Sequence, residues 1–283
     1  MKKMTPGKSA VTQIALVVLS LVFFLPLLWM VSTSLKTTPE TVVTPPEWVP
    51  HQLIWKNYPD AVMYGSKELG YIPFLVYARN TLIITILCVI GTVISNGVVA
   101  YAFARLKWPG RDFFFGVTLA TMMIPFPVLM VPTFTLFKWL AWVGTFRPLW
   151  APAFFGSAFS IFLLRQFYRT IPMELSEAAK IDGASELSIF LDVIVPLARP
   201  ALTVTALFAF MGTWNDFLGP LIYLVDQHTF TLSLGLAAYQ SQHGGTSWNL
   251  LMAATCLVIL PVIVVFFFAQ KVFIQGIATS GIK

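Results

Sequence analysis

Hydrophobic positions in this chain are gathered into six long stretches, 11–31, 80–104, 113–137, 149–164, 201–224 and 250–270. A helix needs about 20 mostly apolar residues to cross a bilayer. Five of the six reach that length, and 149–164 falls short of it. Runs such as 83–93 and 258–269 are solidly apolar, whereas a barrel strand alternates. In lipid each backbone N–H and C=O must be satisfied within its own segment, which a helix achieves. The pattern predicts an all-α integral membrane protein, a six-transmembrane-helix bundle in which 1–283 form a single transmembrane domain. Pro125, Pro127 and Pro132 crowd the third stretch, so that helix is expected to bend or unwind. Three polar segments separate the spans most clearly: 32–79, 165–199 and 225–249.

Composition agrees with the pattern. Hydrophobic residues make up 57% of the chain and charged residues 11%, against about a quarter charged in a soluble domain, which leaves too little polar surface to cover a water-soluble globule. Lys and Arg set the orientation. With the N-terminus in the cytoplasm, twelve of the 18 basic residues fall inside: Lys2, Lys3, Lys8, Arg105, Lys107, Arg111, Arg165, Arg169, Lys180, Arg199, Lys271 and Lys283. Both termini are then cytoplasmic, and 32–79 and 225–249 are extracytoplasmic loops. The basic excess belongs to an inner membrane leaflet and not to one nucleic-acid-binding face. The first stretch has the basic start of a signal peptide, but its apolar run is longer than an ordinary signal core and no A-x-A-like site follows Met30. An anchor is expected. Cys88 and Cys256 both lie inside spans, where each reads as a small buried apolar residue. No disulfide framework and no metal-ligand spacing is present.

The candidate chemistry is sparse. In the outer segment 32–79, Trp48, Trp55, Tyr58, Tyr64 and Tyr71 suit either a headgroup-level belt or a docking surface. In 225–249, Tyr239, Gln240, Gln242, His243 and Trp248 combine rings with amides, as a carbohydrate surface would, and as ordinary loops also do. Asp216, after Trp214-Asn215, is the best ionisable candidate within a span; it is either a group on a transport path or an interfacial cap. Otherwise the spans offer amides and hydroxyls: Asn80, Ser95, Asn96, Thr203 and Thr205. Ion-coupled carriers keep acids near the midplane, so a secondary carrier is disfavoured and the energy is expected from outside this chain. Gly7-Lys8-Ser9 resembles the end of a phosphate-binding loop, but Lys2 stands where that loop needs its first glycine. A membrane-embedded enzyme would need clustered acids or histidines, and His51, His228 and His243 are far apart in sequence.

The segment 165–199 is different in kind. Pro172 suits a first helical position, good helix formers follow, and Gly183 suits a left-handed stop after Asp182. Ser185 can start a second helix, in which Leu187, Phe190, Leu191 and Ile194 form an apolar stripe. A helix of about ten residues is marginal alone. Ala178 and Ala179, flanked by Glu174, Glu177 and Asp182, form a face suited to another protein's groove. The run Glu177-Ala178-Ala179, then Gly183, then Val193, Val195 and Pro196 resembles the EAA loop of binding-protein-dependent ABC transporter permeases, with Val replacing an Ile and a Leu. Tyr101-Ala102-Phe103-Ala104-Arg105, Trp214-Asn215-Asp216 and the tail 273–283 look like the carbohydrate-uptake, maltose-permease-like branch. This resemblance implies a cytoplasmic EAA coupling helix that seats in an ATPase through Glu177, Ala178, Ala179, Asp182 and Gly183. It implies a second homologous permease, two ATPase subunits and an extracytoplasmic binding protein as partners, in a bacterial or archaeal inner membrane. ATP and Mg would be bound by the partner ATPases, with no cofactor or metal in this chain, which would itself be no enzyme. Substrate or binding-protein contact would fall to Trp214, Asn215, Asp216, Tyr239, Gln240 and Trp248. The cargo would be a sugar or oligosaccharide; a permease for another solute is the nearest alternative.

Overall fold

The computed structural model describes residues 6–240 and 245–280, with side chains for 11–240 and 245–270. Lys2, Lys3, Gln242, His243, Lys283 and the side chains of the 273–280 tail lie outside that description. All regular structure among the described residues is helical. α1 (Pro6–Ser34) is one helix through Pro26. The outer segment then carries α2 (Asn57–Val62) and α3 (Ser66–Leu69), and α4 (Pro73–Arg105) is the second span. α5 (Arg111–Ala120) runs on through a 3₁₀ turn to Met123, and α6 (Phe126–Trp139) leaves it at 100°. α7 (Arg147–Trp150), a 3₁₀ turn Ala151–Phe155 and α8 (Ala158–Thr170) make the fourth span. α9 (Met173–Ile181), α10 (Glu186–Ser188), a π-helical stretch Ile189–Ile194 and α11 (Val195–Leu197) form the polar segment. α12 (Arg199–Trp214) turns 80° from it; α13 (Leu218–Tyr223), α14 (Leu232–Leu236) and α15 (Trp248–Ser280) complete the chain.

Among the described residues four stretches are long and apolar enough to cross a membrane alone, Val11–Ser34, Pro73–Arg105, Arg147–Thr170 and Trp248–Gln270; the two bent pairs bring the number to as many as six. The bend expected in the third span falls at Ile124-Pro125. Ile124 is extended, with ψ 113°, because the residue before a proline avoids the helical region. Pro127 then sits in the first turn of α6, where its missing N–H costs nothing. The fifth span, expected as continuous over 201–224, is broken. α12 has 16 residues, about 24 Å at 1.5 Å per residue, and ends where Asn215 Nδ2 donates to the Met211 carbonyl at 2.8 Å. The fourth span is longer than expected, and α8 carries Arg165 inside helix as far as Thr170.

The described chain divides into two compact units, Met1–Phe74 with Leu236–Leu260, and Leu75–Gly235 with Pro261–Lys283, where a single domain was expected. In the first unit, Ala61, Leu251, Ala253 and Ala254 are buried together with Tyr239. Asn57 Nδ2 donates to the Ser34 and Lys36 carbonyls, both at 2.8 Å, and closes the outer segment onto the end of α1. In the second unit, α4, α5, α8 and the π-helical stretch share one core containing Tyr101, Phe103, Phe115, Leu164, Tyr168 and Ile189. The amides and hydroxyls inside the spans serve this packing. Asn80 Nδ2 donates to the His228 and Phe230 carbonyls, and Ser95 to the Ala153 carbonyl. Asn96 Oδ1 accepts from the Ser157 N–H at 2.7 Å. Thr203 and Thr205 bond back to carbonyls four residues earlier. Gly91 marks a close approach: a Cβ there would lie 2.6 Å from the Phe154 ring.

Candidate functional site

Pro172 is extended (φ −53°, ψ 137°) and caps α9 from outside, so the helix starts at Met173, one residue later than Pro172 was expected to open it. The far end follows the sequence reading. The N–H groups of Asp182, Gly183 and Ala184 bond to the carbonyls of Ala178, Lys180 and Ala179 at 2.9–3.0 Å, and Gly183 adopts φ 83°. The Ser185 hydroxyl accepts the Ser188 N–H at 3.2 Å and starts α10. Between these caps Glu174, Glu177, Ala178 and Asp182 are exposed and Ala179 is half-buried. Ile181 is 86% exposed, which leaves α9 with an apolar, acid-flanked face that its own chain does not cover. The apolar stripe expected at Leu187, Phe190, Leu191 and Ile194 is corrected. Leu187 and Leu191 are exposed, and Ile189 is buried with Phe190 and Ile194. The π-helical i→i+5 register aligns 189 with 194, where a 3.6-residue period would have selected the other set.

Two side chains at the end of α4 grip this segment. The Arg105 guanidinium, buried, reaches the Met173 sulfur at 3.1 Å and the Pro172 carbonyl at 3.4 Å. The Tyr101 hydroxyl donates to Glu186 Oε2 at 2.7 Å, and Glu186 Oε1 pairs with Lys180 Nζ. A continuous polar chain thus runs from α9 through Glu186 to the second span. Sequence reasoning missed Glu186, Lys180 and Arg105 in this role. The available signal was the i, i+4 spacing of Tyr101 and Arg105, which puts both on one helix face.

The Trp214-Asn215-Asp216 group occupies the break in the fifth span. Trp214 is buried and its ring stacks on Phe210. Asn215 faces outward. Asp216 Oδ1 accepts the Gly219 N–H at 3.0 Å, so of its two readings the cap describes its contacts. It also borders a cavity of about 180 Å³ with Thr81, Thr213 and Thr231.

Within 225–249 the described residues carry short helical pieces at Gln227–Thr229, Leu232–Leu236 and Ala237–Tyr239. Tyr239, expected at a surface, is buried: its ring stacks on Tyr64 at 4.6 Å and its hydroxyl donates to the Ala61 carbonyl at 2.6 Å. Gln240 and Trp248 are exposed. The three candidates therefore do not share one face, because the Tyr64–Tyr239 stack consumes the ring meant to meet a ligand. The structure also brings together Glu40, Glu47 and His51, which sequence reading did not connect: His51 Nδ1 lies 3.0 Å from Glu40 Oε1 and 3.2 Å from Glu47 Oε2. Lys36 donates to the Glu47 carbonyl beside them.

Comparison with known proteins places this geometry. The family described as "binding-protein-dependent transport system inner membrane component" matches residues 94–279. The arabinooligosaccharide transport system permease of Halalkalibacterium halodurans is 34% identical over 79% of each chain. The sn-glycerol-3-phosphate transport system permease of Pectobacterium atrosepticum is 31% identical over 85% of each. A solved chain from a bacterial ABC transporter involved in the import of the acidic polysaccharide alginate superposes with a TM-score of 0.81, covering 96% of this chain and 99% of that one at 22% identity.

Proposed function

We propose, from the premise that this chain belongs to the family of binding-protein-dependent transport system inner membrane components, that it is the permease subunit of an ATP-driven importer of sugars or oligosaccharides. Membership in that family makes it an inner membrane transport protein that works with a binding protein. The finer reading adds two ATPase subunits, which hold ATP and Mg, and a second homologous permease. Both termini are cytoplasmic. α9 seats in an ATPase cleft, with Glu177, Ala178 and Ala179 at the contact and the Asp182-Gly183 turn setting its angle. ATP binding closes the ATPases, moves α9 and favours the outward-facing pore, into which the binding protein releases its cargo.

One observation carries the reading most directly. α9 is a nine-residue helix with its isoleucine outside, and Tyr101, Glu186 and Lys180 tie it to a membrane span. Such a helix gains its stability from packing, and the link to α4 gives motion at its surface a route into the bundle. The sugar assignment is supported by the arabinooligosaccharide relative. The glycerol-phosphate relative supports a second reading, a phosphorylated polyol as cargo. Co-purification of the complex, followed by ATP hydrolysis measured with the binding protein and a panel of oligosaccharides, monosaccharides and glycerol phosphate, tests both. Stimulation by oligosaccharides and loss of that stimulation in Glu177→Lys are expected. Stimulation by glycerol phosphate alone selects the second reading, and no co-purifying ATPase removes both.

A further inference from the structure

Between α4 and α5 a cleft of about 420 Å³ opens, lined by Lys107, Trp108, Gly110, Arg111, Asp112 and Phe113. Its cations are arranged, not scattered. Arg165 is buried, with its guanidinium 3.9 Å from the centre of the Phe115 ring, its Nε on the Phe103 carbonyl at 3.2 Å and its Nη2 3.7 Å from Asp112. Arg111 reaches Asp112 at 3.1 Å and the Leu106 carbonyl at 3.3 Å. Arg169 lies close enough to act electrostatically on both Asp112 and Arg165. Lys107 is exposed. The cleft lining thus holds two cations, Lys107 and Arg111, against one carboxylate, Asp112, and that carboxylate is also drawn on by Arg165 and Arg169 from outside the lining, so the cleft carries a net positive charge. Trp108 fixes the rim by donating Nε1 to the Ala102 carbonyl at 3.3 Å. On α5, Phe113, Phe114 and Val117 are exposed, and Phe113 is also part of the cleft lining.

We infer that this cleft binds the headgroup of an anionic phospholipid, whose acyl chains lie along Phe113, Phe114 and Val117. The two halves of the surface decide the class of ligand. A soluble anion would use only the cations and leave the α5 face bare; a zwitterionic lipid would cover that face and leave the charge unbalanced. An amphiphile with a phosphate head and a net negative charge satisfies both, and basic pockets at the ends of membrane helices recognise such heads. The inference needs only that α5 is in the membrane, not any particular cargo.

The test uses the full chain in the complex it assembles into, placed in nanodiscs of equal phosphatidylcholine and phosphatidylglycerol, with retained lipids counted by native mass spectrometry. Wild type is expected to retain phosphatidylglycerol preferentially. The K107Q/R111Q pair should lower that retention by about twenty-five-fold, at about fivefold per basic group, with phosphatidylcholine unchanged. D112N, which removes the carboxylate competing for the same cations, should raise it. Equal retention of the two lipids by wild type overturns the inference even if no variant assembles. So does displacement of the lipid by millimolar glycerol phosphate, which makes the cleft a soluble-anion site, or a loss that appears only together with a partner subunit, which makes it a protein interface.

Discussion

Gly183 stands at φ 83° with open space where a Cβ would go, so a substitution there meets backbone strain and no clash. A β-branched residue in that conformation costs about 1 kcal/mol or more, whereas asparagine visits it readily. Gly183→Asn is expected to keep cargo-stimulated ATP hydrolysis and Gly183→Val to lose most of it; equal rates for the two would show that the turn does not set the angle of α9. This position was readable in advance, because a glycine after a run of helix formers has one common use. Glu40 was not. Its carboxyl is held down to about 2, from an ordinary 4.5, first by the Thr37 N–H at 2.7 Å, then by the Thr37 hydroxyl and by His51. Because the folded value is the lower one, this contribution is complete above about 4.5 and fades as pH falls from there through 2. Hydrogen exchange at the Thr37 and His51 amides should therefore lose protection across that window, and Glu40→Gln should flatten the dependence. The contact joins residues eleven apart through an irregular turn, and no periodicity announces that.

At the scale of elements, the link between α4 and α9 makes a quantitative claim. Tyr101→Phe and Glu186→Gln each remove part of one polar chain, so their effects should not add. A double-mutant cycle read in cargo-stimulated ATP hydrolysis is expected to give a coupling of about 0.5–3 kcal/mol; an additive pair would separate Tyr101 from the motion of α9. The existence of the elements was legible, since apolar length reports directly on the solvent a helix sits in. α9 and its glycine stop were legible for the same kind of local reason, with its start read one residue early. What local signals could not carry was register. The π-helical stretch exchanges Leu187 and Leu191 for Ile189 on the buried side, and the fifth span breaks at Asn215, whose backbone N–H and side-chain amide both donate to the Met211 carbonyl. Tyr239 is a similar case: ring and amide composition left a ligand surface and an ordinary loop both open, while the stack with Tyr64, 175 positions away in the chain, uses the ring for packing.

For the whole molecule, the charge bias predicts that α9 faces the cytoplasm and Gln240 the other side. Both are exposed, and the native thiols Cys88 and Cys256 are buried, so single cysteines at Lys180 and Gln240 should label from opposite faces with little background. Labelling of both from one face would overturn the topology. The apolar stretches and the polar segments between them were visible in the sequence because they follow from solvent; the division into two units depends on long-range contacts that no local pattern encodes. α1 is the extreme case. Not one position in its most apolar stretch is buried within the chain, with Leu19, Phe23 and Phe24 all turned outward. Among the described residues nothing packs closely enough on that stretch to specify the shape of those side chains; it asks only that they be greasy. Over generations such a helix is free to drift among leucine, valine and phenylalanine wherever its neighbour is lipid, and is held still wherever its neighbour is another protein, so the pattern of drift along α1 becomes a record of who stands beside it.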